Sequence, residues 1–249
     1  MAPRNAWLRQ FEPNPESPVQ LVCLPHAGGA ASFYVPFCRA LAPVADVVAV
    51  QYPGRQERRL EPCVTDLAEL ADLVAEALAD RLDRPTALFG HSMGATLAFE
   101  LARRLPVAHV FASARRAPSR WRDEPVRVRD DAQLIAEVVA LGGSSAELMA
   151  DEDVVSMVLP ALRGDYHAVE TYRWTPEPPL TVPLTVLVGD DDPKVSPEEA
   201  RAWEEHTTGE VDLRVFSGGH FYLVDHQPEV VDLVGDRLRA LAAAAASTT

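Results

Sequence analysis

Gly90-His91-Ser92-Met93-Gly94 stands between the apolar run Thr86–Phe89 and the helix-like stretch Ala95–Arg104. A serine hydroxyl is a weak nucleophile until it is held out on a sharp turn beside a general base. The Gly-x-Ser-x-Gly spacing suits such a turn, because a strained backbone and a helix pressed close to a strand leave no room for side chains at the glycines. Five residues of common types are a weak signal alone. The strand before them and the helix after them are the setting the chemistry requires, and they make Ser92 a candidate nucleophile.

A nucleophilic serine needs a base and a group that orients the base, in the chain order Ser, Asp, His for this kind of turn. The apolar run Val182–Val188 leads into Gly189-Asp190-Asp191-Asp192-Pro193. Three adjacent carboxylates cannot all be buried, and one suffices. Asp192 is chosen because it lies beyond the strand end and Pro193 biases it towards an extended conformation. Asp190 and Asp191 are assigned to solvent or to turn structure. The run Val211–Phe216 precedes Ser217-Gly218-Gly219-His220-Phe221, where two glycines leave the imidazole of His220 accessible as the base. The other candidates sit less well: His226 near the start of the last helix, His206 at the end of a surface helix, His109 within a strand and His167 in an insertion.

The tetrahedral intermediate of acyl transfer needs two backbone donors. One is expected from Met93 N–H, after the nucleophile. The other is expected from His26-Ala27-Gly28-Gly29, which resembles an HGGG-type segment; Ala27 N–H is assigned and Gly28 is the close alternative.

The elements that must position these groups alternate. Apolar runs at Val19–Leu24, Asp46–Tyr52, Thr86–Phe89, Val107–Ala112, Val182–Val188 and Val211–Phe216 read as strands. Helical periodicity marks Ser32–Ala42, Thr65–Leu82 with Leu67, Leu70, Val74 and Leu78 on one face, Met93–Arg104, and Pro228–Ala242. A further helix starts at a capping box, with Ser196 as N-cap, Pro197 in first position and Glu199 three residues on. The expected fold class is α/β, with a mostly parallel sheet covered on both faces. Ligands of such sheets bind beyond the carboxyl ends of the strands, where every motif above falls. Pro118–Trp174 breaks the rhythm with helices at Asp131–Leu141, closed by Gly142-Gly143, and Asp151–Tyr172, bent or restarted at Pro160. One domain over residues 1–249, with an insertion at about 118–174, is the expected organisation.

The chain has 23 basic and 37 acidic residues and a net charge of −14, which argues against nucleic acid and anionic membranes as partners. The N-terminus lacks the apolar core of a signal peptide, and no apolar run is long enough to span a bilayer. Cys23, Cys38 and Cys63 are odd in number and lack metal-ligand spacing, so reduced thiols, a cytoplasmic location and no bound metal are expected.

With these residues in view, the chain resembles the type II thioesterases, free-standing α/β-hydrolases that serve polyketide synthases and nonribosomal peptide synthetases. The resemblance rests on Leu24–Ala30, Tyr52-Pro53-Gly54-Arg55 with Arg58, Gly90–Gly94, Arg115-Arg116-Ala117-Pro118, Gly189–Asp192 with Val195, and Gly218–Phe221. Ala114 departs from it, standing where the family often has glycine. The resemblance implies an α/β-hydrolase fold and hydrolysis of acyl groups carried on the phosphopantetheine arm of acyl or peptidyl carrier proteins. Clearing of stalled units from an assembly line follows from it. So do a helical lid over an acyl chamber at Pro118–Trp174, and no cofactor beyond the arm that the substrate brings. A monomer is expected.

Lys194 is the only lysine, so anion recognition falls to arginine. Arg115, Arg116, Arg120, Arg122, Arg127 and Arg129 stand against only Asp123 and Glu124. Carrier proteins of these systems are typically acidic, as the resemblance suggests. Arg115, Arg116, Arg120 and Arg122 are therefore expected to dock the carrier or its arm, with Arg55, Arg58 and Arg59 as a second contact; the plainer reading is a solvated edge with internal salt bridges. Leu134, Val138, Met157, Leu162 and Tyr166 could line an acyl pocket, although such stripes more often pack a helix on its neighbour. Two other functions compete. A small-molecule carboxylesterase is separated by relative rates on a thioester and its oxygen ester, and a non-catalytic hydrolase-fold binding module by labelling of Ser92 with a fluorophosphonate.

Overall fold

Seven strands form one sheet in the order β1-β3-β2-β4-β5-β6-β7, in a computed structural model that describes residues 6–247. The strands are β1 (Leu8–Arg9), β2 (Gln20–Leu24), β3 (Asp46–Val50), β4 (Thr86–His91), β5 (His109–Ser113), β6 (Leu184–Gly189) and β7 (Val211–Phe216). All pairings are parallel except β1 on β3. The expected mostly parallel α/β sheet is what the chain forms. The edge strand β1 was not expected, since two residues carry no readable alternation.

β2 to β6 are buried along their whole length, which explains why they read as continuous apolar runs. The helices α1 (Val35–Leu41) and α8 (Gln227–Ala246) contribute to the core on one face of the sheet. On the other, α2 (Leu67–Leu78), α3 (Met93–Ala102) and α6 (Pro197–Arg201) contribute to a second core. In α2 the predicted stripe of Leu67, Leu70, Val74 and Leu78 is buried, and Asp66 caps its start. The capping box of Ser196 and Glu199 opens α6 as read from the sequence.

Between β5 and β6 lie α4 (Asp131–Ala140) and α5 (Glu152–Thr171). Gly142, at φ +82°, follows the end of α4 as expected. Pro160 does not restart a helix: α5 runs on through it. The Pro160 carbonyl accepts from the Cys63 thiol at 3.4 Å. The three cysteines are free. The short helix α7 (Tyr222–Asp225) before α8 had no separate signal in the sequence. Among the described residues, no helix is long and apolar enough to cross a membrane.

Candidate active site

The turn from β4 into α3 puts Ser92 at φ +55° and ψ −117°, a conformation that costs a non-glycine residue about 1–3 kcal/mol. Its flanking glycines are there for close approach. A Cβ on Gly90 would stand 2.0 Å from the Gly94 carbonyl oxygen, and one on Gly94 2.0 Å from that of Leu24. Ser92 N–H donates to the Ser113 carbonyl on β5 at 2.8 Å, which anchors the strained residue to the sheet.

Ser92 Oγ lies 2.9 Å from His220 Nε2. His220 Nδ1 in turn lies 3.0 and 2.9 Å from the two oxygens of Asp192. With Nδ1 donating to the carboxylate, Nε2 is the acceptor for the serine proton. Both the imidazole and the carboxylate are buried. The loop backbones carrying them touch: a Cβ on Gly189 would stand 2.3 Å from Gly218 O. Each acid of the triplet has its own place. Asp192 faces His220 and also accepts Lys194 N–H at 2.8 Å, Asp190 accepts Gly218 N–H at 2.9 Å, and Asp191 is exposed. Of the other candidate histidines, His109 bonds to Thr185, His206 to Ser119 and His226 to Ser217, and His167 is exposed. His206 is buried rather than on a surface helix.

Asp165 separates the two candidate oxyanion donors. Its Oδ2, on α5, accepts Gly28 N–H at 2.7 Å, so that donor is already engaged and Ala27 N–H is the one left for a ligand. Met93 N–H opens α3, where the first amides have no acceptor within the helix and the helix dipole favours negative charge. Asp165 also takes a two-pronged bond from Arg55, at 2.6 and 2.9 Å, and Arg55 donates to Gly29 O at 3.0 Å. Sequence reasoning missed Asp165. The signal was present: it interrupts the buried α5 stripe of Ala161, Leu162, Ala168 and Val169 with a carboxylate.

This corrects the expected second docking contact. Arg55 and Arg58 are buried, Arg58 stacks on Trp7 and pairs with Glu61, and only Arg59 is exposed. At the other arginine cluster, three of the four expected docking residues meet carboxylates. Arg116 pairs with Glu124 at 3.0 Å and donates to Lys194 O, Arg120 pairs with Glu205, and Arg122 pairs with Glu199. Arg120 and Arg122 remain exposed, and Arg115 differs from all three by having no carboxylate partner among the described residues.

Ser92 and His220 open onto a cavity of about 410 Å³. One part of its wall is apolar, with Val138, Leu141, Val154, Val158 and Leu162; another is charged, with Arg115, Arg116, Arg122, Glu124 and Lys194. Of the apolar residues singled out in the sequence, Val138, Leu162 and Tyr166 line it. Leu134 is instead fully buried between the insertion helices, and Met157 faces solvent.

The Thioesterase domain family model matches residues 19–238. The chain belongs to the thioesterase family. Its relatives within the family include the "Probable cadicidin biosynthesis thioesterase" of Streptomyces griseus, 54% identical over 225 residues, which are 88% of this chain and 62% of that protein. "Thioesterase PikA5" of Streptomyces venezuelae is 45% identical over 239 residues, covering 93% of this chain and 85% of the relative. Among solved structures, the type II thioesterase BorB from the borrelidin biosynthetic cluster superposes with a TM-score of 0.89 at 51% identity, over 94% of this chain and 98% of that one. The expected resemblance to type II thioesterases and the α/β-hydrolase fold are thereby shown for this member of the family.

Proposed function

We propose that the chain hydrolyses acyl thioesters on the phosphopantetheine arm of acyl or peptidyl carrier proteins, by an acyl-enzyme route on Ser92. Supporting this is the unbroken hydrogen-bond line Ser92–His220–Asp192 beside an open, mostly apolar cavity. Ser92 Oγ attacks the thioester carbonyl as its proton passes to His220 Nε2, and Asp192 stabilises the imidazolium through Nδ1–H. Ala27 and Met93 N–H receive the oxyanion. The C–S bond breaks, and the departing thiolate takes the proton from His220. Water then gives its proton to His220 and attacks the acyl-serine, and Ser92 recovers its proton as the free acid leaves. No metal or redox group enters this sequence of steps.

The helices between β5 and β6 act here as a lid, and the acyl group lies against its apolar side. Clearing of stalled units from a polyketide or nonribosomal peptide assembly line is the matching role. Exposed Arg120 and Arg122 serve as the carrier contact, since surface ion pairs of about 0–1 kcal/mol exchange readily for a partner's carboxylates. A panel of acyl groups on phosphopantetheinylated carrier protein, on a small thiol and as oxygen esters tests the reading. Hydrolysis is expected to favour the thioesters. Preferential turnover of the oxygen esters would make the chain a carboxylesterase instead.

A further inference from the structure

Four cationic side chains line the cavity beside Ser92, and three of them are neutralised within the protein. Arg116 meets Glu124, Arg122 meets Glu124 and Glu199, and Lys194 meets Glu124 and Glu137. The fourth, Arg115, forms no ion pair among the described residues; Glu124 and Glu170 act on it only from a distance. Its one side-chain bond runs from Nε to Thr96 Oγ1, at 3.0 Å. Burial, with the charge of Arg116 next to it, pushes the guanidinium down to about 10. A half-buried cation facing a cavity, with its terminal nitrogens uncommitted to any anion, is an unfilled donor set.

The backbone holds Arg115 in this position at some cost. Ala114 adopts φ +52°, a left-handed conformation in a residue with a side chain, and its N–H is tied to Leu187 O at 2.8 Å. The Arg115 carbonyl accepts from Trp203 Nε1 at 2.8 Å. Strain of this kind persists where the surroundings over-determine a residue, and it clusters at ligand sites.

Position decides what the guanidinium can reach. Thr96 is the fourth residue of α3, about one turn in from the end that carries Ser92. The phosphodiester of a phosphopantetheine arm is too far from the thioester for a group at this depth, because two amides lie between them. The first amide, one ethylene unit from the sulfur, is at the right remove. Trp121 and Arg122 give the charged wall an exposed rim, while the apolar wall suits the acyl chain.

We propose that Arg115 is the receptor for the arm, donating from its terminal nitrogens to the carbonyl oxygen of the amide nearest the thioester and so fixing the carbonyl carbon over Ser92. This rests on the carrier-thioester reading above and adds a specificity element to it: the enzyme distinguishes amide-bearing thiols from simple ones. Arg115 then acts inside the cavity rather than on the carrier surface, unlike Arg120.

The test presents one acyl group on ethanethiol, which has no amide, on N-acetylcysteamine, which has the first, on pantetheine, which has both, and on carrier protein. For Arg115→Met the loss in kcat/KM is expected to reach about ten- to a hundredfold on N-acetylcysteamine, to grow no further on pantetheine or carrier, and to be several-fold smaller on ethanethiol. Arg115→Lys should fall between. Thr96→Val, which frees the guanidinium from its anchor, should give the same pattern in weaker form, and it carries the comparison if Arg115→Met does not fold. Equal losses on all four thiols would make Arg115 structural and overturn the proposal. A loss confined to carrier protein, or one that follows a carboxylate on the acyl group when succinyl and butyryl thioesters are compared, would also overturn it. If the wild-type chain hydrolysed none of the four, the thioesterase reading itself would fall, an outcome distinct from any defect of the variants.

Discussion

Asp165, on the insertion helix α5, accepts the N–H of Gly28 in the loop after β2 at 2.7 Å. One carboxylate thus ties the helical insertion to the loop that presents Ala27, while Arg55 holds it from the other side. Both charges are almost fully buried. Removing one partner of such a pair typically costs about 3–5 kcal/mol, because the other is left buried and uncompensated. Arg55→Met is expected to lower stability by that order in urea unfolding. Asp165→Asn keeps an oxygen for Gly28 but loses the charge that orients Arg55. It should lower kcat more than it raises KM, since a displaced Ala27 N–H acts on the transition state. A rise in KM alone would remove the oxyanion-loop role.

Ser92→Ala is expected to abolish nearly all thioester turnover and all labelling by a fluorophosphonate. Asp192→Asn should cut kcat on the order of 10⁴, by favouring the wrong tautomer of His220. Asp191→Asn, on an exposed side chain, should be near neutral, and Asp190→Asn should act through the loop backbone it holds. A rate collapse in the Asp190 or Asp191 variant with Asp192→Asn active would reassign the orienting acid.

The elbow glycines should not tolerate a methyl group. Gly94→Ala sets a Cβ against the Leu24 backbone, which belongs to a buried central strand and cannot give way. Loss of folded protein on expression is the expected result. Gly142→Ala is the control: nothing lies within 4 Å of its Cβ, so only the positive φ is penalised, at about 1–2 kcal/mol. Thermal melts of the two variants check the difference.

Histidines packed in the interior make the fold sensitive to acid, His26, His91 and His109 among them. Burial, reinforced by the nearby His220, holds His26 at about 3 and His91 well below its ordinary value, and burial with Arg237 nearby holds His109 at about 4. All lie below the unfolded value of about 6.5. The unfolded chain therefore binds more protons below that pH. The stabilisation from keeping these rings neutral is complete above about pH 6.5 and is lost as pH falls towards the folded values, at up to about 1.4 kcal/mol per pH unit for each histidine. Urea midpoints between about pH 4.5 and 7 should fall with acid, and His109→Gln should flatten the slope.

Reversing charge at Arg120, which does not line the cavity, should raise KM for acyl-carrier protein and leave the same acyl group on N-acetylcysteamine unaffected. Its pair with Glu205 is exposed, so losing the attraction and gaining a like-charge repulsion should cost little stability, about 1 kcal/mol. Equal changes on both substrates would exclude a docking surface here.

Much of this was legible in the chain itself, for a definite reason. Strand and helix periods, the capping box at Ser196, and the glycines around Ser92 are local patterns set by backbone geometry, and they carry their meaning within a few residues. The order Ser92, Asp192, His220 is informative because a parallel sheet delivers all its strand ends to one side. Asp192 was separable from its neighbours by Pro193, again a local constraint. The exposure of an arginine is not local. Arg55 and Arg58 looked like surface charge until the fold set Asp165 from a helix more than a hundred positions away against one of them and packed the other on Trp7. Likewise, the engagement of Gly28 N–H depends on that same distant carboxylate, and the difference between Arg115 and Arg116 on where Glu124 falls. Residue types and spacing singled out the candidate reaction centre; which charges are paired, and which are not, was decided only by tertiary packing, because pairing is a property of space and not of order along the chain.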